Sequence, residues 1–266
     1  MQYHYKNNDT TKLLKPYYDS AIYFANILRE QFPNYRTQKV DEILQDSYFG
    51  NEEYSKSLEY SMKILERYKI GIPRPDAISV ESIFACKKAA ESFLKIGEFK
   101  KSILYYDSCS TKYKGNYLQC GLGVMIDNAY RDKDLFFAYL GLKDTEKAIE
   151  IATPYFFDTT MTEFVDSNYS KEYFKVLDKI YSKIEAKEKI DKALDTLNQK
   201  LTRLYSANLN RLPTDNWIIL FSGKFDILQE ESRGGNLKIY RDLYTKEYFI
   251  NRIKTSIGYR FYNPEK

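Results

Sequence analysis

Three stretches of the chain repeat one another at a spacing and with a helical periodicity that point to stacked helical units. With Ser57, Ser102 and Ala148 in register, "YSKSLEYSMKIL" (54 to 65), "FKKSILYYDSCS" (99 to 110) and "TEKAIEIATPYF" (145 to 156) each carry a small residue followed by an aliphatic one. The spacings are 45 and 46 residues. Inside each stretch, apolar or small residues recur at steps of three and four, the pattern of a helix with one buried stripe. A second periodic segment precedes each, at 37 to 49, 77 to 96 and 119 to 140, so the unit is a pair of antiparallel helices. The stretches "SYFGNEE", "KIGEF" and "YLGLKD" place Gly50, Gly97 and Gly141 between the paired helices, where a left-handed residue ends the first helix at little steric cost. A period between 20 and 50 residues indicates stacked units that bury a shared core.

The middle unit is the most informative. Ala89 and Ala90 lie in its first helix with Phe93 one turn on, Gly97 is the turn, and Phe99, Ser102, Tyr106 and Cys109 follow. Small residues let two backbones approach, and aromatics fill the space beside them. This arrangement resembles the tetratricopeptide repeat (TPR). The third unit keeps Phe137, Gly141, Ala148, Ala152 and Tyr155, with a turn expected to be two residues longer, and the first keeps Gly50, Tyr54, Ser57, Ser61 and Ile64, also with an extended turn. The resemblance covers residues 37 to 157 and implies a mostly α fold, a TPR-like α-α superhelix of stacked helical hairpins. It also implies that first helices line a concave groove. Aligning the units on their glycines turns Lys87, Glu91 and Lys95 of the second, and Asn128, Arg131 and Tyr139 of the third, toward that groove. These six are the expected partner-binding residues.

The flanks complete an expected four-part organisation: a capping helix in 1–36, three hairpins in 37–157, a long helical hairpin in 158–212 and a mixed segment in 213–266. Residues 9 to 32 read as one amphipathic helix with Pro16 near its first turns, where proline is tolerated. Between 169 and 205, Tyr173, Leu177, Ile180 and Ile184, then Ile190, Leu194, Leu197, Leu201 and Leu204, keep helical spacing on either side of a break at "EAKEK". That means two consecutive helices or one helix with a phase break. The segment "NWIILFSGKFDILQEESRGGNLKIYRDLY" contains a small hairpin or a few short strands, and 241 to 257 returns to helical spacing with Leu243, Tyr244, Tyr248, Phe249 and Ile253 on one side. Trp217 is expected to anchor this piece to the helices.

Chemistry leaves few marks. The chain has one histidine, His4, and carries no HExxH, GxSxG, Walker A or dinucleotide glycine pattern. Neither a catalytic residue nor a metal or cofactor is expected. Cys86, Cys109 and Cys120 have no CxxC spacing, and the first two fall at interior positions of the second unit. Asp226, Glu230, Glu231 and Lys238 share a strand-like region, the residue types of a metal-dependent nuclease, but lack its Glu-x-Lys pairing. No apolar run approaches eighteen residues and no leader-like segment opens the chain, so a cytoplasmic protein without a membrane partner is expected.

The leading expectation is a non-catalytic scaffold for a protein or peptide partner, of the kind represented by a bacterial immunity-type or regulatory protein that masks its target. The oligomeric state stays open. The competing expectation is nucleic-acid binding by the basic, Tyr-rich C-terminal segment; residues 201 to 266 hold the whole excess of 41 basic over 37 acidic residues. There Arg233, Lys238, Arg241, Lys246, Arg252, Lys254 and Arg260 alternate with Tyr240, Tyr244, Tyr248, Tyr259 and Tyr262, an interleaving able to neutralise phosphates and stack bases. The 26 tyrosines decide neither way, since binding surfaces and AT-rich coding both raise their number.

Overall fold

The computed structural model describes residues 10–70, 80–111, 121–206, 218–225 and 245–264. Among the described residues the fold is mostly helical with one small two-stranded sheet. Cys120 and the expected nuclease residues lie outside the described residues, as do Trp217, Leu243 and Tyr244. The chain forms two compact units, Met1–Cys120 and Gly121–Lys266, dividing inside the expected array 37–157.

The first unit is a run of helices: α1 (Thr10–Gln31), α2 (Thr37–Gly50), α3 (Tyr54–Ile70), α4 (Val80–Lys95) and α5 (Phe99–Thr111). Each packs on the next, and α2 also touches α4. The second unit opens with another hairpin, α6 (Gly121–Gly141) and α7 (Thr145–Phe157).

The three hairpins α2–α3, α4–α5 and α6–α7 close in the same way. The backbone N–H groups of Glu53, Glu98 and Asp144 donate to the carbonyls of Tyr48, Phe93 and Tyr139, each at 2.9 Å. One residue earlier, Glu52, Gly97 and Lys143 donate to Phe49, Leu94 and Leu140 and hold φ of 63°, 82° and 63°. This double bond is the Schellman closure, which satisfies the last free carbonyls of a helix. The turns are therefore equal in length, which corrects the expected extensions. Gly50 and Gly141 are the last residues of their helices and match Lys95; the left-handed positions belong to Glu52 and Lys143. Gly50 has a different reason to be small, because a Cβ there would sit 2.3 Å from the Tyr18 ring of α1.

Beyond the turn, Ser57, Ser102 and Ala148 are fully buried, and Ser102 and Ala148 have Tyr106 and Ala152 buried one turn later. A larger side chain at the first position would force the paired helices apart.

In the second unit α7 is the central element, touching α6, α8 (Ser167–Ile180), the sheet, α10 (Lys246–Lys254) and α11 (Ile257–Tyr262). Its Phe156 stacks on Tyr173 with ring centroids 3.9 Å apart, and the Tyr173 hydroxyl and Thr153 Oγ1 are 2.9 Å apart. The expected break at "EAKEK" falls earlier, at Tyr181–Ser182, before α9 (Lys183–Ser206). Ser182 and Glu185 form a capping box: the Ser182 N–H donates to the Glu185 carboxylate at 2.8 Å and the Glu185 N–H to Ser182 Oγ at 3.2 Å. Ile184, expected on the buried stripe, is 72% exposed as a consequence of this earlier start.

The expected hairpin is β1 (Ile218–Leu220) paired antiparallel with β2 (Gly223–Phe225). Its two-residue turn, Phe221–Ser222, has φ of 53° and 75°, the left-handed pair that matches strand twist. Phenylalanine is a poor residue for this conformation, but it is 3% exposed, with its ring 5.5 Å from Phe157 and 5.3 Å from Tyr181. Packing offsets the strain. A buried ion pair closes the unit: Arg252 Nε donates to Asp158 Oδ1 at 3.0 Å and its Nη2 to Asp158 Oδ2 at 2.5 Å, tying α10 to the end of α7.

Three substitutions test this account by thermal or urea unfolding. Lys143→Gly removes a left-handed side chain and raises stability by about 0.5–1 kcal/mol, while Gly97→Lys lowers it by about 1 kcal/mol. Gly223→Ala places a Cβ 2.4 Å from Thr153 Cβ and costs about 1–3 kcal/mol.

Candidate binding surfaces

The six expected groove residues fall into two sets that lie in different units and on different helix faces. Lys87, Glu91 and Lys95 form one stripe of α4, with the first two half-buried and the third exposed. The turn equivalence pairs them with Glu42, Asp46 and Gly50 on the neighbouring helix α2. Lys88 Nζ lies 2.9 Å from Glu91 and 4.1 Å from the centroid of Phe49, which belongs to α2. Phe84 and Ile43, 52% and 38% exposed, flank these charges, so α2 and α4 present a mixed polar and apolar face.

Asn128, Arg131 and Tyr139 correspond instead to Ser82, Ala85 and Phe93, which are all buried in α4. Arg131 Nε and Nη2 donate to Asp132 Oδ1 at 2.9 and 2.7 Å, and Asp132 Oδ2 accepts from the Tyr155 hydroxyl at 2.8 Å. Tyr139 packs against the core of its unit, and Asn128 is half-buried. The discrepancy has a simple origin. Gly97 and Gly141 are 44 residues apart, whereas the hairpins repeat at 46 here. A two-residue slip rotates a helix by about 200°, enough to exchange its faces.

A surface absent from the expected set lies on α1. Its inward side is held by a polar cluster: Asp41, fully buried on α2, accepts from Arg29 of α1 and Arg67 of α3. Arg29 Nη1 also donates to the Tyr60 hydroxyl at 2.9 Å, and Tyr60 stacks on Tyr48 with centroids 5.7 Å apart. Ala25 is buried and Ile22 packs beside it. With this side committed, Leu14, Tyr17, Phe24 and Leu28 face outward and are 41%, 71%, 62% and 37% exposed.

With Ala21, these four sit at steps of three and four, the spacing of a seam that receives another helix. Tyr23 is also 62% exposed, with its ring 5.3 Å from Phe24. Phe32 and Tyr35, each 55% exposed, extend the apolar surface past the helix end. A solenoid cap is expected to show water a polar outer face; α1 shows an apolar one. The signal was present in the sequence as two apolar stripes on one helix, Ile22 and Ala25 on one side and residues 14, 17, 21, 24 and 28 on the other.

The basic tail is partly absorbed into the core. Arg252 is 3% exposed in its pair with Asp158, Tyr262 is 8% exposed, and Lys246 Nζ lies 3.3 Å from Thr202 Oγ1. Lys254 and Arg260 remain exposed. Among the described residues no group of three or more His, Cys, Asp or Glu side chains is placed to hold a metal ion, and no helix is long and apolar enough to cross a membrane.

On the α2–α4 face, crowding by protein atoms raises the Asp46 pKa above the ordinary aspartate value; Glu91 and Glu42 add to the rise and Lys88 opposes it. Asp46 keeps solvent access, which moderates the effect. A folded state that holds this proton more tightly than the unfolded chain loses stability as pH rises from the ordinary aspartate range through the raised value. Asp46→Asn is therefore expected to give a small gain in melting temperature at pH 7 that disappears at pH 3, measured by thermal unfolding across pH. Comparison of the chain with family models, with curated proteins and with solved structures gives no match.

Proposed function

We propose that the chain is a non-catalytic protein-binding scaffold built from TPR-like helical hairpins, and that the outward face of α1 is its principal docking surface. The observation that carries this reading is the exposed stripe of Leu14, Tyr17, Phe24 and Leu28, continued by Phe32 and Tyr35. Contiguous apolar surface of this kind is costly in water and marks sites of protein association. Aromatic side chains supply large contact area with few torsions to freeze, which suits them to be anchors.

The chemistry of the face defines its partner. A row with steps of three and four accepts an amphipathic helix that presents a matching row, so the partner is a protein with an exposed apolar helix or helical groove. The α2–α4 face, with Lys87, Glu91 and Lys95, supplies polar contacts within the same unit. A masking role, as in a bacterial immunity-type or regulatory protein in the cytoplasm, is the biological form in which a scaffold of this size buries such a surface. Nucleic-acid binding has less support, because Arg252 and Tyr262 are committed to the core and Arg131 is engaged by Asp132.

The test is affinity capture of the tagged chain from lysate of its source cells, with wild type and Phe24→Glu compared side by side after nuclease treatment. A protein recovered at high salt with wild type is expected to fall at least tenfold with Phe24→Glu, while the melting temperature moves by less than about 2 °C. Equal recovery with both proteins removes α1 as the docking face. Recovery that vanishes on nuclease treatment moves the function to nucleic acid.

A further inference from the structure

The second hairpin carries a chemistry that the binding role does not use. Cys86 of α4 is fully buried and Cys109 of α5 is 9% exposed; both are free thiols. They belong to one apolar cluster with Ile64, Leu65 and Ala85, with Met62 and Tyr105 packed against it. Cys86 Sγ lies 3.3 Å from the carbonyl oxygen of Tyr105, one helical turn before Cys109 on the facing helix.

The repeat gives independent evidence that these two positions face each other. Turn equivalence places Cys86 with Asp132 and Cys109 with Tyr155. In the third hairpin that pair is in direct contact, with the Tyr155 hydroxyl donating to Asp132 at 2.8 Å. The long Tyr–Asp contact is replaced in the second hairpin by two short side chains ending in sulfur, both within one buried cluster.

We propose that Cys86 and Cys109 are a disulfide-forming pair, a covalent modification site at which a small peroxide oxidant joins α4 to α5. The reaction balances as two thiols and one hydrogen peroxide giving one disulfide and two waters. The Cys109 sulfur, the one with residual solvent access, attacks a peroxide oxygen and breaks the O–O bond, forming a sulfenic acid and releasing the first water. Cys86 then attacks that sulfur, its S–H proton leaves with the departing hydroxyl as the second water, and the S–S bond forms. Proximity of Cys86 captures the sulfenic acid before it is oxidised further.

The surroundings also set the rate. The neighbouring Cys86 sulfur and burial both push the Cys109 thiol up, so little thiolate exists at neutral pH. Closure is therefore slow at pH 7 and faster in alkali, the behaviour of a slow staple more than of a fast sensor. Once formed, the bond links two helices whose turn is already closed by Gly97 and Glu98, and raises the melting temperature by about 5 °C.

The test uses the full chain with Cys120→Ser, which leaves only these two thiols. The protein is incubated with hydrogen peroxide at pH 7 and pH 9, then unfolded, treated with N-ethylmaleimide and weighed intact. The expected product has lost about 2 Da, takes up no maleimide, yields a linked Cys86–Cys109 peptide and reverts with dithiothreitol, forming several-fold faster at pH 9. The same treatment of the Cys86→Ser, Cys120→Ser protein yields no such species. Two maleimide adducts after oxidation, accumulation of sulfinic acid in the two-thiol protein, or a dimer linked between chains would overturn the proposal.

Discussion

The closure from the N–H of Glu53, Glu98 and Asp144 to the carbonyls of Tyr48, Phe93 and Tyr139 sets everything that follows it in each hairpin. It ends the first helix, reverses the chain within two residues and starts the second, whose opening bond returns from Ser57, Ser102 and Ala148 to the same three residues. Those last residues arrive fully buried against the first helix. A change of one residue in the turn would rotate the second helix by about 100° and expose its buried stripe. That sensitivity explains why Glu52 and Lys143 tolerate left-handed conformations that only Gly97 adopts without strain.

Packing alone does not hold either unit. In the first, buried Asp41 gathers Arg29 and Arg67 and fixes the rotation of α1. In the second, buried Asp158 receives Arg252 and fixes α10 beside the end of α7. A buried carboxylate is costly unless ion-paired, and only one placement of each arginine satisfies it. The functional consequence follows for α1: with Arg29 and Ala25 turned inward, Tyr17 and Phe24 have no choice but to face water.

Local signals in the sequence matched the structure where one element was enough to interpret them. The paired helices, the 45- and 46-residue spacing, a hairpin or short strands somewhere in residues 216–244 and the burial of Cys86 and Cys109 were all legible from periodicity and composition. The misplaced turns and groove residues share one cause. Glycines at 50, 97 and 141 were treated as equivalent markers, yet only Gly97 serves conformation; Gly50 makes room for Tyr18. Carrying that marker to the third hairpin turned Arg131 and Tyr139 outward, when their counterparts Ala85 and Phe93 are buried. The Ser182–Glu185 capping box was readable as S-x-x-E and would have placed the start of α9 correctly.

That most of the chain forms paired helices follows from the amino acids alone, because backbone hydrogen bonds and apolar spacing act over a few residues. Which face of a helix reaches solvent does not, because α1 has two apolar stripes and nothing local chooses between them. The choice is made by Asp41, distant in sequence, whose buried charge requires Arg29 on one side of α1. Likewise, Phe221 holds a turn that its own preferences oppose, because Phe157 and Tyr181 bury its ring. Long-range burial of charge and of aromatic surface outweighs local preference at both places, and the outward stripe on α1 is the result.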